Sequence, residues 1–306
     1  MGMIMNKLQK QWENILKKTY KAHIADVDGN LTKTTINASS LESDVISLIQ
    51  KRLESGIPFG ICSARSYADN PMLINIKNDV LGPLSNQAIK NFFIFPEQGA
   101  LVICFSKNKK NEIITKEIDL VKYFKIKGAK NLFDTTSRKA LFDEIVTSLG
   151  LQNTLQYVGD KRYGFIAQLK EKEIIIDAQH QDKILYLTKK MSSYVQKNHP
   201  LFEVLCTRKS IYVTLKGANK GLSLRYFAKK YHLELGEIVG TDDQGTFEGV
   251  GFPLICHEAG FSTNIYEKER TYPFPVSVIA KKSGVDAWLF LEEHLKYQAP
   301  FPLIDK

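Results

Sequence analysis

The chain alternates between short, wholly apolar runs and longer stretches whose apolar residues recur every three or four positions. His23-Ile24-Ala25 is the first short run and reads as a buried strand. A helix follows. Ser39-x-x-Glu42 has the form of a capping box, and Leu41, Val45, Leu48, Ile49 and Leu53 share one helical face, closed by Gly56. Ile57-Pro58-Phe59-Gly60-Ile61 reads as a second strand, so these elements form a strand-helix-strand unit with parallel strands. Residues 91–95 and 100–105 are two apolar runs around Pro96-Glu97-Gln98-Gly99, a hairpin or tight turn. Past Asn111 the pattern gives a strand at Ile113-Ile114, a helix near 138–149, and strands near Leu155 and Phe165. A helix near 182–196 and strands near Val204 and Val213 follow. A helix and then two strands, given twice, describes a separate sheet with helices on one face. The parallel pattern resumes at Gly221 with a helix over 222–231, a strand over 237–240 and a strand over 252–256.

This order predicts an α/β fold. Residues 1–105 and 211–306 form a discontinuous, doubly wound, Rossmann-like core, and residues 106–210 form an inserted α+β domain. Residues 1–20 read as a peripheral amphipathic helix with Trp12, Ile15 and Leu16 on one side. That segment lacks an apolar h-region and a cleavage site. Met1-Gly2 resembles a myristoylation start, but Asn6 stands where Ser or Thr is wanted.

Composition narrows the class. The 306 residues are 43% hydrophobic and 25% charged, as in a globular protein. No apolar run approaches the ~20 residues needed to span a bilayer, so no membrane partner is expected. Cys62, Cys104, Cys206 and Cys256 each lie in or at the end of an apolar run, with no C-x-x-C pair. They read as buried, reduced thiols of a cytoplasmic protein, monomeric or homodimeric. The net charge of +9 comes from scattered lysines, apart from short clusters such as Lys107-Lys109-Lys110. That distribution suits small anionic substrates rather than a nucleic-acid groove.

The candidate chemistry starts at Asp26-Val27-Asp28-Gly29-Asn30-Leu31-Thr32. Two carboxylates two residues apart, at the carboxyl end of a strand, stand where open α/β sheets bind their ligands. The Gly29-Asn30 turn frees backbone N–H groups for an anion. One Asp can attack phosphorus and ligate Mg²⁺ while the other moves the leaving-group proton. Calcium loops share the Asp-x-Asp spacing, but Asn37 holds the place of their bidentate Glu, and a strand precedes the motif. Ser63, at the end of the second strand, can bond a phosphoryl oxygen, and Arg65 can add a bidentate contact. Lys220 in Lys216-Gly217-Ala218-Asn219-Lys220-Gly221 is a cation at a helix start, a placement that a bound anion favours, with Lys216 as the alternative. Asp242 and Asp243 follow the next strand and would complete a Mg²⁺ site. Lys161, Arg162 and Tyr163 lie between two strands of the insert, facing either the substrate or solvent. His257-Glu258 lacks the second His of H-E-x-x-H and reads as a strand-end pair.

These motifs resemble the haloacid dehalogenase (HAD) superfamily. The first is similar to D-x-D-G-T-L-T with Asn30 in place of Thr, and ICSAR, PEQGA, KGANKG and the closing Ser283-Gly284-Val285-Asp286-Ala287 follow in the family's order. The resemblance spans most of residues 22–296 and is nearest to Cof-like sugar-phosphate phosphatases, with their sucrose-phosphatase and phosphomannomutase relatives. It implies a cap between the second and third motifs and a Mg²⁺-dependent phosphomonoester hydrolase acting on a small phosphorylated metabolite such as a sugar phosphate. It implies Asp26 as nucleophile and metal ligand, and Asp28 as general acid/base with its carbonyl on the metal. It implies Ser63 and Lys220 as holders of the phosphoryl group. The chain departs from the family's G-D-x-x-N-D, because Thr241 and Gly245 hold the two Asp places and Asp242 and Asp243 substitute through a one-residue shift. A phosphomutase fits the first motif equally, and the departure is what a catalytically weak, ligand-binding module would show.

Overall fold

The computed structural model describes residues 2–33, 40–68, 70–128, 134–170, 178–244, 249–263 and 273–300. Its strands are β1 (Thr19–Tyr20), β2 (Ala22–Asp26), β3 (Phe59–Cys62), β4 (Phe92–Phe95), β5 (Leu101–Lys107), β6 (Ile113–Asp119) and β7 (Leu155–Lys161). They continue with β8 (Gly164–Leu169), β9 (Phe202–Cys206), β10 (Ile211–Leu215), β11 (Ile238–Asp242), β12 (Gly260–Ser262), β13 (Phe274–Pro275) and β14 (Lys296–Tyr297). A large sheet runs in the order β13-β12-β11-β2-β3-β4-β5-β6. It is parallel from β13 to β4 and antiparallel over β4-β5-β6. A second, antiparallel sheet has the order β7-β8-β10-β9, and β1 pairs with β14.

Every residue of β2, β3 and β4 is buried, because helices cover both faces. Alternate residues divide between two cores. Phe59, Ile61, Phe92 and Ile94 pack with the helices Ser43–Glu54, Pro71–Leu81 and Val285–His294. Cys62, Phe93 and Phe95 face the helix Gly221–Tyr231 through Leu222, Tyr226 and Phe227. Gly60 makes this close packing possible, since a Cβ there would lie 2.7 Å from the Phe95 ring. The N-terminal helix Gly2–Ile15 buries Leu8, Trp12 and Ile15, with Trp12 stacked 5.9 Å from Phe274 and 5.7 Å from Phe290. No described helix is long and apolar enough to cross a membrane.

The expected order of elements holds, with corrections. β6 was expected in the insert but hydrogen-bonds to β5 at the edge of the large sheet. β10 joins the second sheet, as the strand pattern near Val213 predicts, so the crossing points lie beyond 119 and 215 rather than at 106 and 210. Residues 252–256 were expected as a strand. Phe252–Ile255 is instead a short helix with Pro253 in its first turn, and β12 pairs with β11 in its place. A central strand needs the N–H that Pro lacks. Cys256, after that helix, is exposed, while Cys62 and Cys206 are buried. Finally, Glu42 is the N-cap of Ser43–Glu54 without a side-chain cap bond, and its expected partner Ser39 lies outside the described residues.

In the second sheet, Phe165, Ala167, Val204, Ile211 and Val213 share a core with the helices Thr135–Ser148 and Ala178–Asn198. The alternate residues Ile166, Leu205 and Tyr212 face the other way and pack with Ala64 and Val250 of the first body. The helices therefore lie on one face, as the sequence pattern predicts, and the opposite face is turned toward the carboxyl edge of the large sheet.

A buried polar network braces the middle of that sheet. Glu292 accepts from His23 Nδ1 at 2.8 Å, from Arg52 Nε at 3.0 Å and from the Tyr297 hydroxyl at 2.6 Å. Burial raises the carboxyl's pKa, but His23 and Arg52 outweigh it and hold it below its ordinary 4.5. A depressed carboxyl stabilises the fold above its unfolded pKa and loses that contribution as pH falls through the folded one. Glu292→Gln should therefore cost about 3 kcal/mol or more at neutral pH. Denaturant titrations of variant and wild type should converge below about pH 4.5.

Candidate active site

β2, β3 and β11 run parallel, so their carboxyl ends open on one edge. Asp26 ends β2, Asp242 ends β11 and Ser63 follows β3. Thr241 pairs with Ala25, and the next step along the register sets Asp242 beside Asp26. Lys220, the N-cap residue of the helix Gly221–Tyr231, is 2% exposed. Its Nζ donates to Asp26 Oδ1 at 2.5 Å and to Asp242 Oδ2 at 2.7 Å. Lys216, the alternative, is exposed. The anions that favour a cation at this helix start are therefore the site's own carboxylates.

Asp26, Asp242 and Asp243 are all buried, and each offers an oxygen within 4.8 Å of the others. Burial and the charges of Asp242, Asp243 and Asp28 push the Asp26 carboxyl well above the usual range, against the pull of Lys220. Burial likewise pushes Asp243 up to about 7, with Arg208 opposing it. Burial works against the charge on Lys220, but Asp242 and Asp26 more than compensate and hold it as an ammonium. Both Asp243 oxygens lack a hydrogen-bond partner, although Arg208 Nη2 lies 3.2 Å away. Three crowded carboxylates, one with two orphaned oxygens, fit a divalent cation that prefers oxygen ligands. Cys62 beside them stays a thiol, pushed up to about 12 by burial.

Asp28 stands outside this cluster and is partly exposed. Arg65 grips it with both ends of the guanidinium, Nε to Oδ2 at 3.0 Å and Nη2 to Oδ1 at 2.6 Å. Arg65, expected on the phosphoryl group, is thus engaged with the expected acid/base instead. Ser63 is buried, and its Oγ accepts from the Arg65 N–H at 3.2 Å. Gly29 takes a positive φ of 73°, and its N–H donates to Thr32 Oγ1 at 3.3 Å. Asn30 is fully buried, and its N–H goes to the Val27 carbonyl. Its side chain donates to the Asp26 carbonyl at 2.9 Å and to Thr241 Oγ1 at 3.1 Å, and it accepts from Thr263 Oγ1 at 3.0 Å. In place of the expected anion contact, Asn30 ties the ends of β2, β11 and β12 together.

The same bonds explain the departure at Thr241. Its hydroxyl meets His23 Nε2 at 3.0 Å as well as Asn30, so position 241 serves the network beneath the site. Asp242, one residue later, is the carboxylate that reaches Lys220. Gly245, the second departure, lies outside the described residues.

No protein-family model and no curated protein matches the chain. Solved structures do. An N-terminally truncated IMP-nucleotidase of Plasmodium falciparum matches at 15% identity and a TM-score of 0.54, over 80% of this chain and 66% of that one. An IMP-bound variant of that protein matches at 14% and 0.56, over 83% and 66%. The untruncated form matches at 14% and 0.52, over 79% and 58%. The chain thus spans 58–66% of the length of these three structures.

The chain has the HAD fold. That likeness does not single out the Cof-like group.

Within the HAD fold, sequence reasoning missed three contributors to the site. Arg208, in the turn between β9 and β10, reaches Asp243 from the second sheet. Tyr212 turns its buried ring to the same side. Gly251 lies directly against Asp242, since a Cβ there would come within 2.1 Å of Oδ1. Gly251→Ala should force the Asp242 carboxylate away from Lys220. We expect turnover to fall by about 10²-fold with little change in far-UV circular dichroism, because a displacement on the order of 1 Å has that effect. Wild-type turnover in the variant would mean that Asp242 does not need its present position.

Proposed function

We propose that the protein is a Mg²⁺-dependent phosphomonoester hydrolase acting on a small phosphorylated metabolite, a sugar phosphate among the candidates. The observation that carries this reading is Lys220, bridging Asp26 and Asp242 at the carboxyl edge of the sheet with Asp243 beside them. Solved phosphatase structures of the same fold support it, IMP-nucleotidase being the named example.

Asp26 Oδ attacks phosphorus, the bond to the leaving oxygen breaks, and Asp28 gives that oxygen its proton. Asp28 then takes a proton from water, whose oxygen displaces Asp26 from phosphorus and releases phosphate. Lys220 steadies the nucleophile and offsets charge on the phosphoryl group. Asp26, Asp242 and Asp243 would hold Mg²⁺, which supplies further charge neutralisation there. Arg65 aims the Asp28 carboxylate through both of its oxygens.

Thr241 also bears on the weak-module alternative. Its altered motif is the main support for that reading, yet Asp242 lies beside Asp26, with Asp243 within reach of both. The test is hydrolysis of p-nitrophenyl phosphate with added Mg²⁺ and with a chelator. Release of inorganic phosphate, lost on chelation, is expected; with a hexose 1-phosphate in its place, an isomerised ester without free phosphate would point to a mutase. Asp28→Asn should lower kcat by at least ~10²-fold, the low end of general acid-base catalysis. A kcat unchanged by this substitution would remove Asp28 from the mechanism.

A further inference from the structure

Between the two sheets lies a cavity of about 300 Å³. Asp28 and Arg65 stand on its core side, and Lys161, Lys209 and Tyr212 on the side of the second sheet. Asp26 and Lys220 do not line it. The cavity therefore opens from the proton donor, on the leaving-group side of the site.

Its charges do not balance. The lining holds four cations, Arg65, Lys161, Arg208 and Lys209, against two carboxylates, Asp28 and Asp243. Arg65 is engaged by Asp28 and Arg208 by Asp243. Lys161 has the longest of the three ion pairs. Its side chain is 17% exposed, and Glu97, the carboxylate it pairs with, stands 4.0 Å away. Burial lowers its pKa and nearby Arg65 lowers it further, with Glu97 opposing. A largely buried ammonium close to a guanidinium is unfavourable until an anion arrives between them. Lys209, exposed at the rim, adds a second positive group. Tyr212, Ile166 and Ala64 supply an apolar wall for a short carbon skeleton.

From this we infer that the natural substrate is a phosphomonoester whose alcohol portion carries a second acidic group, a carboxylate or another phosphate, bound by Lys161 with Lys209 at the cavity rim. The inference rests on the phosphomonoester reading and narrows its substrate class.

The test uses matched pairs of ligands. Phosphoglycolate is compared with ethyl phosphate, and ethylene glycol bisphosphate with ethylene glycol monophosphate. Binding is measured calorimetrically with Mg²⁺ on the full chain carrying Asp26→Asn, which prevents turnover. The doubly acidic member of at least one pair should bind about ten- to a hundredfold tighter, the range of a charge-assisted hydrogen bond. Preference in the first pair names a carboxylate, in the second a phosphate. Adding Lys161→Gln should collapse the ratio, and Lys161→Arg, which keeps the charge, should restore it. Equal affinities within both pairs, or a ratio that survives Lys161→Gln, would overturn the inference. Hydrolysis of p-nitrophenyl phosphate by the wild type separates the two levels. Hydrolysis with no preference in either pair leaves the phosphatase reading standing alone. A Lys161-dependent preference without hydrolysis leaves the anion pocket standing and removes the phosphatase.

Discussion

Asp26→Asn is expected to abolish turnover, by on the order of 10⁴-fold or more, without lowering the melting temperature. The amide cannot form an acyl phosphate, so the covalent path closes rather than slows. Stability should hold because the substitution removes one of three crowded buried carboxylates, and Lys220 keeps its second partner, Asp242, at 2.7 Å. Steady-state kinetics and a thermal melt on the same preparation check both halves. Turnover near the wild-type rate would mean that some other group attacks phosphorus.

Lys220→Met should have the largest effect on the fold itself. It leaves Asp26, Asp242 and Asp243 within 4.8 Å of one another without the ammonium between them. Removing one partner of a buried ion pair costs about 3–5 kcal/mol. The cost should depend on pH in a definite direction. Asp243 is already raised from 3.8 to about 7 in the folded chain, and a raised carboxyl destabilises the fold progressively as pH climbs between those values. Metal-free Lys220→Met should therefore be least stable above about pH 7 and recover on acidification. A divalent cation that binds the folded cluster should restore stability at neutral pH, by about 2.7 kcal/mol at a hundredfold excess over its Kd. Urea titrations with Mg²⁺ and with a chelator measure this directly. A variant as stable as wild type at neutral pH would show that the Lys220 contacts contribute nothing net.

The sequence carried the parallel core well, because strands buried on both faces leave unbroken apolar runs such as 59–62 and 92–95, separated by amphipathic helices. It placed Asp26, Lys220 and Asp242 together for a related reason. The ends of parallel strands meet on one edge, so order along the chain becomes proximity. Edge features were less legible. β6 shows little burial and no alternation, so nothing local tells which sheet it joins. The five apolar residues 252–256 read as strand or helix alike, and Pro253 was the discriminating signal. Asn30 was read as a turn residue, whereas its partners Thr241 and Thr263 lie more than two hundred positions away. Arg208 reaches the site only through the packing of the second sheet, which no spacing along the chain encodes.

Covalent catalysis by Asp26 is the claim on which the mechanism turns. It is tested by acid-quenching wild-type protein with Mg²⁺ and a phosphomonoester during the first turnover, then digesting it and weighing the peptides. The account predicts one added phosphoryl group on the peptide that contains Asp26, absent from Asp26→Asn and removed by hydroxylamine. Steady turnover with no such adduct, or an adduct on a peptide lacking Asp26, would contradict it.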